Sequence, residues 1–238
     1  MRPKFKNLMS DITYGCLKKS LSRHTYFERS QKIPKESVVF LIPGFLTGDK
    51  SISQLKKFFK KRNTKVYTLK DCLRGESFIP RNINIGWRDE YRDLIKKKAI
   101  EVRAETGELP YVVGWSLGGI YALNIHQEEP GLFKKVITLA SPLNQSFSGN
   151  TSIKWLYDFI SGNTQYLDEV IAKNSTVRDF ESVVTVGAEK DGLVDYRACV
   201  SPYTKSYVVD CYHMDITSNS KTFKIIEQEI FGIKHDIS

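Results

Sequence analysis

The sequence predicts a doubly wound α/β fold, a mostly parallel sheet with helices on both faces. Three observations predict it. From about residue 38, short β-branched runs alternate with longer amphipathic segments, the pattern of strands joined by crossover helices. The runs that begin at 38, 111, 135 and 182 are almost wholly apolar, as strands covered on both faces are. A serine framed by glycines stands where one such run gives way to a helical segment, in "YVVGWSLGGIYA" (111–122). In a sheet of this kind, ligands are expected at the carboxyl ends of the strands.

The elements follow in order. Residues 1–37 read as an N-terminal arm, where Phe5, Leu8, Met9, Ile12 and Cys16 recur at helical spacing on one face, an amphipathic segment that docks on the body. The remainder, 38–238, reads as one domain, because 238 residues suffice for one good core and are few for two. Its strands are "VVFLI" (38–42), "KVYTL" (65–69), "YVV" (111–113), "KVITLA" (135–140), "SVVTVG" (182–187) and "SYVVD" (206–210). Helical segments start at Ser51, Trp87, Ser116 and Ser218. The stretch at about 142–181 breaks the alternation with two extra helical segments, "IKWLYDFI" and "QYLDEVIA", and is expected to form a small helical cap over the sheet edge.

Composition bounds the rest. Hydrophobic residues make up 41% and charged residues 26%, values of an ordinary globular chain. No apolar run approaches the roughly 18 residues of a membrane span, and the basic N-terminus lacks the apolar core of a secretory signal, so a cytoplasmic protein is expected. The four cysteines, Cys16, Cys72, Cys199 and Cys211, form no CxxC and read as reduced, mostly buried thiols; a Cys199–Cys211 bridge would require an oxidising compartment. The formal charge of +9 is concentrated in the arm, where nine Lys or Arg face three Asp or Glu. Such a block suits a solvated face or peripheral contact with phosphate-bearing membranes. With no zinc finger, glycine-rich phosphate loop or aromatic RNA-binding signature, no nucleic acid is expected as a partner. Nor is a metal or cofactor, since the histidines lack ligand spacing.

The serine carries the chemistry. Gly114-Trp115-Ser116-Leu117-Gly118 fits G-x-S-x-G between strand and helix, where the turn must be sharp and small flanking residues let the backbone pass close to itself. A serine hydroxyl needs a general base and a carboxylate to orient that base. Four histidines permit elimination. His24 lies in the arm and His235 in the tail. His126 falls ten residues along the helix from Ser116, roughly 15 Å away at 1.5 Å per residue. His213, just past the "SYVVD" strand, is left as the base. The acid is Asp191, after the strand that ends near Gly187, with Asp195 as its rival; Asp215 reads as a surface or loop-stabilising carboxylate. The backbone N–H of Leu117 at the helix start and that of Phe45, in the turn made by Pro43 and Gly44, are the expected oxyanion donors.

Taken together, "FLIPGFLTGD", "VVGWSLGGIYA", "ITLASPL", "EKDGLVDYRAC" and "YHMDIT" resemble, in order and spacing, the lipase- and esterase-like branch of the α/β-hydrolase superfamily over about residues 38–231. The resemblance implies an α/β-hydrolase fold and a serine hydrolase that cleaves a carboxylic ester through an acyl-enzyme. It also implies the triad Ser116, Asp191 and His213, with Phe45 and Leu117 at the oxyanion. The stretch "RNINIG" (81–86) is similar to a family segment that often carries an asparagine near the site, which Asn82 or Asn84 would supply. One departure is Tyr212, where a small residue often precedes the histidine. An acyltransferase or thioesterase would use the same triad. A non-catalytic binding protein working through its basic arm is the reading from another class. The expected substrate is a small-molecule or lipid acyl ester, the lipid version resting on the arm and on Trp155, Leu156, Tyr157, Phe159 and Ile160 in the cap.

Overall fold

A computed structural model describes residues 13–14, 16–17, 37–44, 47–73, 89–143 and 164–237. Its centre is a sheet of six strands: β1 (Ser37–Ile42), β2 (Thr64–Thr68), β3 (Tyr111–Trp115), β4 (Lys135–Leu139), β5 (Val183–Ala188) and β6 (Lys205–Val209). They lie in the order β2-β1-β3-β4-β5-β6, and every pairing is parallel. The helices are α1 (Ser53–Lys60), α2 (Leu69–Cys72), α3 (Asp89–Thr106), α4 (Leu117–Glu128), α5 (Thr164–Asn174) and α6 (Ser220–Phe231). The chain leaves β1 toward β2 on one side and then returns to build β3 on the other. The carboxyl ends of β1 and β3 therefore form the switch point at which doubly wound sheets place their ligands.

The apolar strand runs divide residue by residue between two cores, because successive side chains point to opposite faces. Val38, Phe40 and Ile42 pack with Val112 and Val136 against α2 to α5. Val39 and Leu41 pack with Val113, Trp115, Ile137 and Leu139 against α1 and α6. Tyr91, Ile95, Ala99 and Val102 keep one face of α3 on the first core. In α4 every residue from Leu117 to His126 is buried, which places this helix at the centre of its layer. The end of α6 is set by Gly232, whose φ of 70° lets the chain stop in the left-handed conformation, and its start by Asn219 Oδ1 accepting from Lys221 N at 2.8 Å.

The stretch expected to form a cap contributes α5, whose Val170 and Ile171 are buried in the first core. Asn174 ties its end to α4 by donating from Nδ2 to Ile120 O at 3.1 Å. "IKWLYDFI", and with it Trp155 to Ile160, lies outside the described residues, as does nearly all of the N-terminal arm. Cys72, Cys199 and Cys211 are buried and in no disulfide, whereas Cys16, also in none, is exposed. No helix among the described residues is long and apolar enough to cross a membrane.

Two ionic clusters hold the C-terminal helix, one to the connection between α1 and β2 and one to the sheet. Arg62, 1% exposed, donates from Nε to Glu227 Oε1 at 2.7 Å and from Nη1 to Phe58 O at 2.9 Å, while its guanidinium lies 3.7 Å from the Phe58 ring centroid. His235 closes the same group through Glu227 Oε2 at 2.7 Å. Burying these charges is tolerable because each is paired; removing one partner leaves a buried charge uncompensated. Glu227→Ala is therefore expected to lower the unfolding free energy by about 3–5 kcal/mol in urea titrations, with Arg62→Met in the same chain recovering most of the loss.

Glu229 is the second cluster, with Lys135 Nζ at 3.1 Å, Lys205 Nζ at 2.6 Å and the Tyr207 hydroxyl at 2.7 Å. Burial by itself would push its carboxyl up. The bonds from Lys205, Tyr207 and Lys135 outweigh that and hold it below its ordinary value. A depressed carboxylate stabilises the fold above its unfolded-state pKa, and the contribution is lost as pH falls through the lower folded value. Glu229→Gln should accordingly flatten the acid side of a plot of urea midpoint against pH, below about pH 4.5, the range in which an unfolded glutamate titrates.

Candidate active site

Ser116 terminates β3 and caps α4 with φ 54° and ψ −121°, a region that a residue with a Cβ occupies only when its surroundings hold it there. They hold it on three sides. Its N–H donates to Leu139 O of β4 at 2.8 Å, and its own carbonyl accepts from Gly119 N at 3.0 Å. A Cβ on Gly114 would lie 2.3 Å from Gly118 O, one on Gly118 would lie 2.2 Å from Ile42 O, and one on Gly119 would lie 2.0 Å from Ser141 Oγ. The glycines of the motif are thus required by backbone and side chains that pass where a methyl would stand. Leu139 O is held by Ser141 Oγ as well, at 3.2 Å, and Ala140 between them adopts φ 48°, so the end of β4 turns sharply just where it receives the serine.

The loop after β1 closes over this turn. A Cβ on Gly44 would sit 3.2 Å from Ser116 Cβ and 3.2 Å from Trp115 Cε3. Thr47 Oγ1 donates back to Gly44 O at 2.8 Å, and Ser51 O accepts from Thr217 Oγ1 at 3.2 Å, joining the loop to the one that carries His213. Phe45, expected as an oxyanion donor, lies outside the described residues, as do Asn82, Asn84 and His24. The other expected donor, Leu117, is the first residue of α4, where a backbone N–H has no partner within the helix.

His213 and Asp191 meet. Nδ1 of His213 lies 2.7 Å from Asp191 Oδ2, and both side chains are almost completely buried. Asp191 Oδ1 accepts from Leu193 N at 2.8 Å and Val194 N at 2.7 Å, so the carboxylate is oriented through its far oxygen. A carboxylate accepts only, so the shared proton resides on Nδ1, and in the neutral ring Nε2 is the basic nitrogen. The loops that bear the two residues are stitched by Glu189 N to Val209 O and Lys190 N to Cys211 O, each 2.9 Å. Trp115, next to Ser116, donates from Nε1 to His213 O at 3.2 Å, which links the serine's strand to the histidine's loop.

The other titratable groups named from the sequence are engaged elsewhere. Asp195 accepts from Arg197 N at 3.0 Å, and the Arg197 guanidinium bound to it holds its carboxyl below the ordinary value, so it caps a short 3₁₀ turn. Asp215 is 4% exposed, and it takes Tyr212 N–H at 2.7 Å, bracing the turn around His213 from below. His126 Nε2 meets Asp179 at 3.0 Å on the flank of α4. Cys199 is a nucleophile type near Asp191, but burial first and the carboxylate next push its thiol well up, so it stays protonated. Among the described residues, no group of three or more His, Cys, Asp or Glu could hold a metal ion.

No family model matches the sequence, and no curated protein matches it in a sequence search. Solved structures do match in shape. The chain is similar to a lipase of Bacillus licheniformis in its mature form, with 13% identity and a TM-score of 0.56 over 83% of this chain and 93% of that one. It is similar to a lipase-esterase related protein from Clostridium acetobutylicum, with 12% identity and a TM-score of 0.53 over 82% and 94%. An α/β-hydrolase enzyme from a lagoon-sediment metagenome matches at 14% identity and a TM-score of 0.50 over 86% and 97%. The fold is that of the α/β hydrolases.

The packing at the elbow yields a paired expectation. Gly119→Ala should cost about 1–3 kcal/mol of stability by overpacking, and Ser141→Gly in the same chain should restore most of it by vacating the space. Gly118→Ala meets the main-chain oxygen of Ile42 instead, so no side-chain substitution should rescue it; thermal denaturation of the three variants checks this.

Proposed function

We propose that the protein is a serine hydrolase that cleaves a carboxylic ester through an acyl-enzyme. The observation that carries the reading is the buried His213–Asp191 hydrogen bond at 2.7 Å, on loops tied to the strand that ends at a strained Ser116. Ser116 Oγ would attack the substrate carbonyl carbon as His213 Nε2 accepts its proton. The tetrahedral oxyanion would be met by the Leu117 N–H, with Phe45 N–H as the second donor. Collapse breaks the ester C–O bond, and His213 returns the proton to the departing alkoxide, which leaves as the alcohol. Water then repeats the sequence on the acyl-enzyme: His213 accepts its proton, the hydroxyl bonds to the acyl carbon, and the acid departs as Ser116 is reprotonated. Asp191 keeps Nδ1 protonated and steadies the imidazolium at each stage. The fold's likeness to lipases and esterases supports an acyl carbonyl as the group attacked.

A fluorophosphonate probe tests the proposal directly. The folded wild type should label and Ser116→Ala should not, and wild-type protein that stays unlabelled, or labelling that survives the substitution, sinks it. On an aryl ester series, Asp191→Asn should lower kcat by about 10⁴-fold while leaving the fold intact, since the amide would favour the wrong tautomer of His213.

A further inference from the structure

Trp115 occupies a position that the nucleophile motif leaves unspecified, yet it touches both halves of the site. It is 2% exposed, and its six-membered ring supports Gly44 in the loop over Ser116. Its indole Nε1–H donates to the carbonyl of His213 itself at 3.2 Å. Its ring centroid lies 5.5 Å from that of the imidazole, with the planes inclined at 44°. A cation over the face of an indole, within about 6 Å of its centroid, is attracted by the ring's quadrupole, and the attraction grows where water is excluded. His213 is 2% exposed. The imidazole becomes such a cation each time it takes a proton.

We propose that Trp115 is a positioning residue that serves the base twice: its N–H fixes the main chain of His213, and its π system stabilises the imidazolium that His213 becomes during turnover. The two roles use different atoms and are separable. The charged groups around the imidazole leave room for such a contribution. Asp191 bonds its Nδ1, and Asp215 is turned to the N–H of Tyr212. Lys190 and Asp210, on the flanking loops, pair with each other at the surface. Asp191 supports the cation through Nδ1, and the indole is its aromatic neighbour.

The charge role does not depend on ester cleavage, whereas the kinetic role rests on the proposed function, and the experiment keeps them apart. His213 is titrated by NMR of protein carrying ¹³Cε1-labelled histidine, with the resonance assigned by its loss in His213→Asn. In Trp115→Leu the imidazolium loses its aromatic neighbour, and the midpoint should fall by about 0.5–1.5 pH units, with a smaller fall in Trp115→Phe. Replacing Trp115 by 3-benzothienylalanine keeps the aromatic surface and deletes the N–H. That variant should titrate as the wild type does but show kcat on an aryl ester reduced by roughly fivefold to tenfold at nearly unchanged KM. Wild-type midpoints in both Leu and Phe variants would overturn the charge role, and an unchanged kcat in the benzothienyl protein would overturn the hydrogen-bond role. Should the Leu variant fail to fold, the Phe and benzothienyl proteins decide both. A folded wild type that cleaves no ester refutes the proposed function, and the titration still decides the charge role.

Discussion

The site depends on how closely the first turn of α4 approaches the ends of its neighbouring strands. Parallel strands bring the carboxyl ends of β1, β3 and β4 side by side, and the chain leaves β3 between the other two. At Gly118 the approach is backbone to backbone, with the carbonyls of Ile42 and Pro43 where a side chain would begin. This contact pushes Ser116 into its φ of 54° and directs the N-terminus of α4 at the site. Strain of about 1–3 kcal/mol at one residue is small beside the burial of a helix whose first ten residues are all buried. The packed layers therefore hold a conformation that the local chain disfavours.

Asp191 and His213 are set by stitching of a different sort. The loops that follow β5 and β6 are joined by main-chain hydrogen bonds from Glu189 to Val209 and from Lys190 to Cys211. Asp191 then loses its freedom through two backbone donors, and His213 loses its own through Asp191, through the turn braced by Asp215 and through Trp115. The far side of the molecule uses ion pairs for the same purpose. Arg62 and Glu227 are 165 residues apart and lock α6, which follows the histidine loop, to the connection between α1 and β2.

Much of this was legible in the sequence because it follows from periodicity. Apolar runs with β-branched residues marked the strands to within one or two residues: β2 begins at Thr64 where 65 was expected, and β3 runs to Trp115 where 113 was expected. Helix starts were read early: Ser51 and Ile52 form a turn, and α1 begins at Ser53. The sharp turn at Ser116 was legible from its glycines, and His213, chosen by elimination among four histidines, lies beside Asp191. Asp191 and Asp195 could be ordered only by their nearness to a strand end, and what distinguishes them in space is a neighbour, His213 for one and Arg197 for the other. Pairings such as Ser141 with Gly119, or Arg62 with Glu227, leave no periodic trace, because they depend on the register of elements far apart in the chain. Asp215 was seen as a loop carboxylate, but its depth of burial was not, since burial belongs to the assembled turn.

Trp115 shows why a motif understates the residue it leaves open. Along β3, side chains alternate between the two cores, and Trp115 falls on the α1/α6 side with Tyr111 and Val113. The loop bearing His213 leads from β6 into α6, so it crosses that same side. A side chain at this position therefore meets the histidine loop by topology, whatever its chemistry. An aliphatic residue would fill the space and satisfy the core. Only a side chain long enough to span from β3 to the loop, with a donor at its far end and an aromatic surface along its length, meets the carbonyl and the imidazole together. The end of β3 thereby meets both residues: Ser116 follows it directly and is bonded by its main chain to β4, and His213 is held by an indole one residue before Ser116. A displacement of β3 would therefore act on both residues at once.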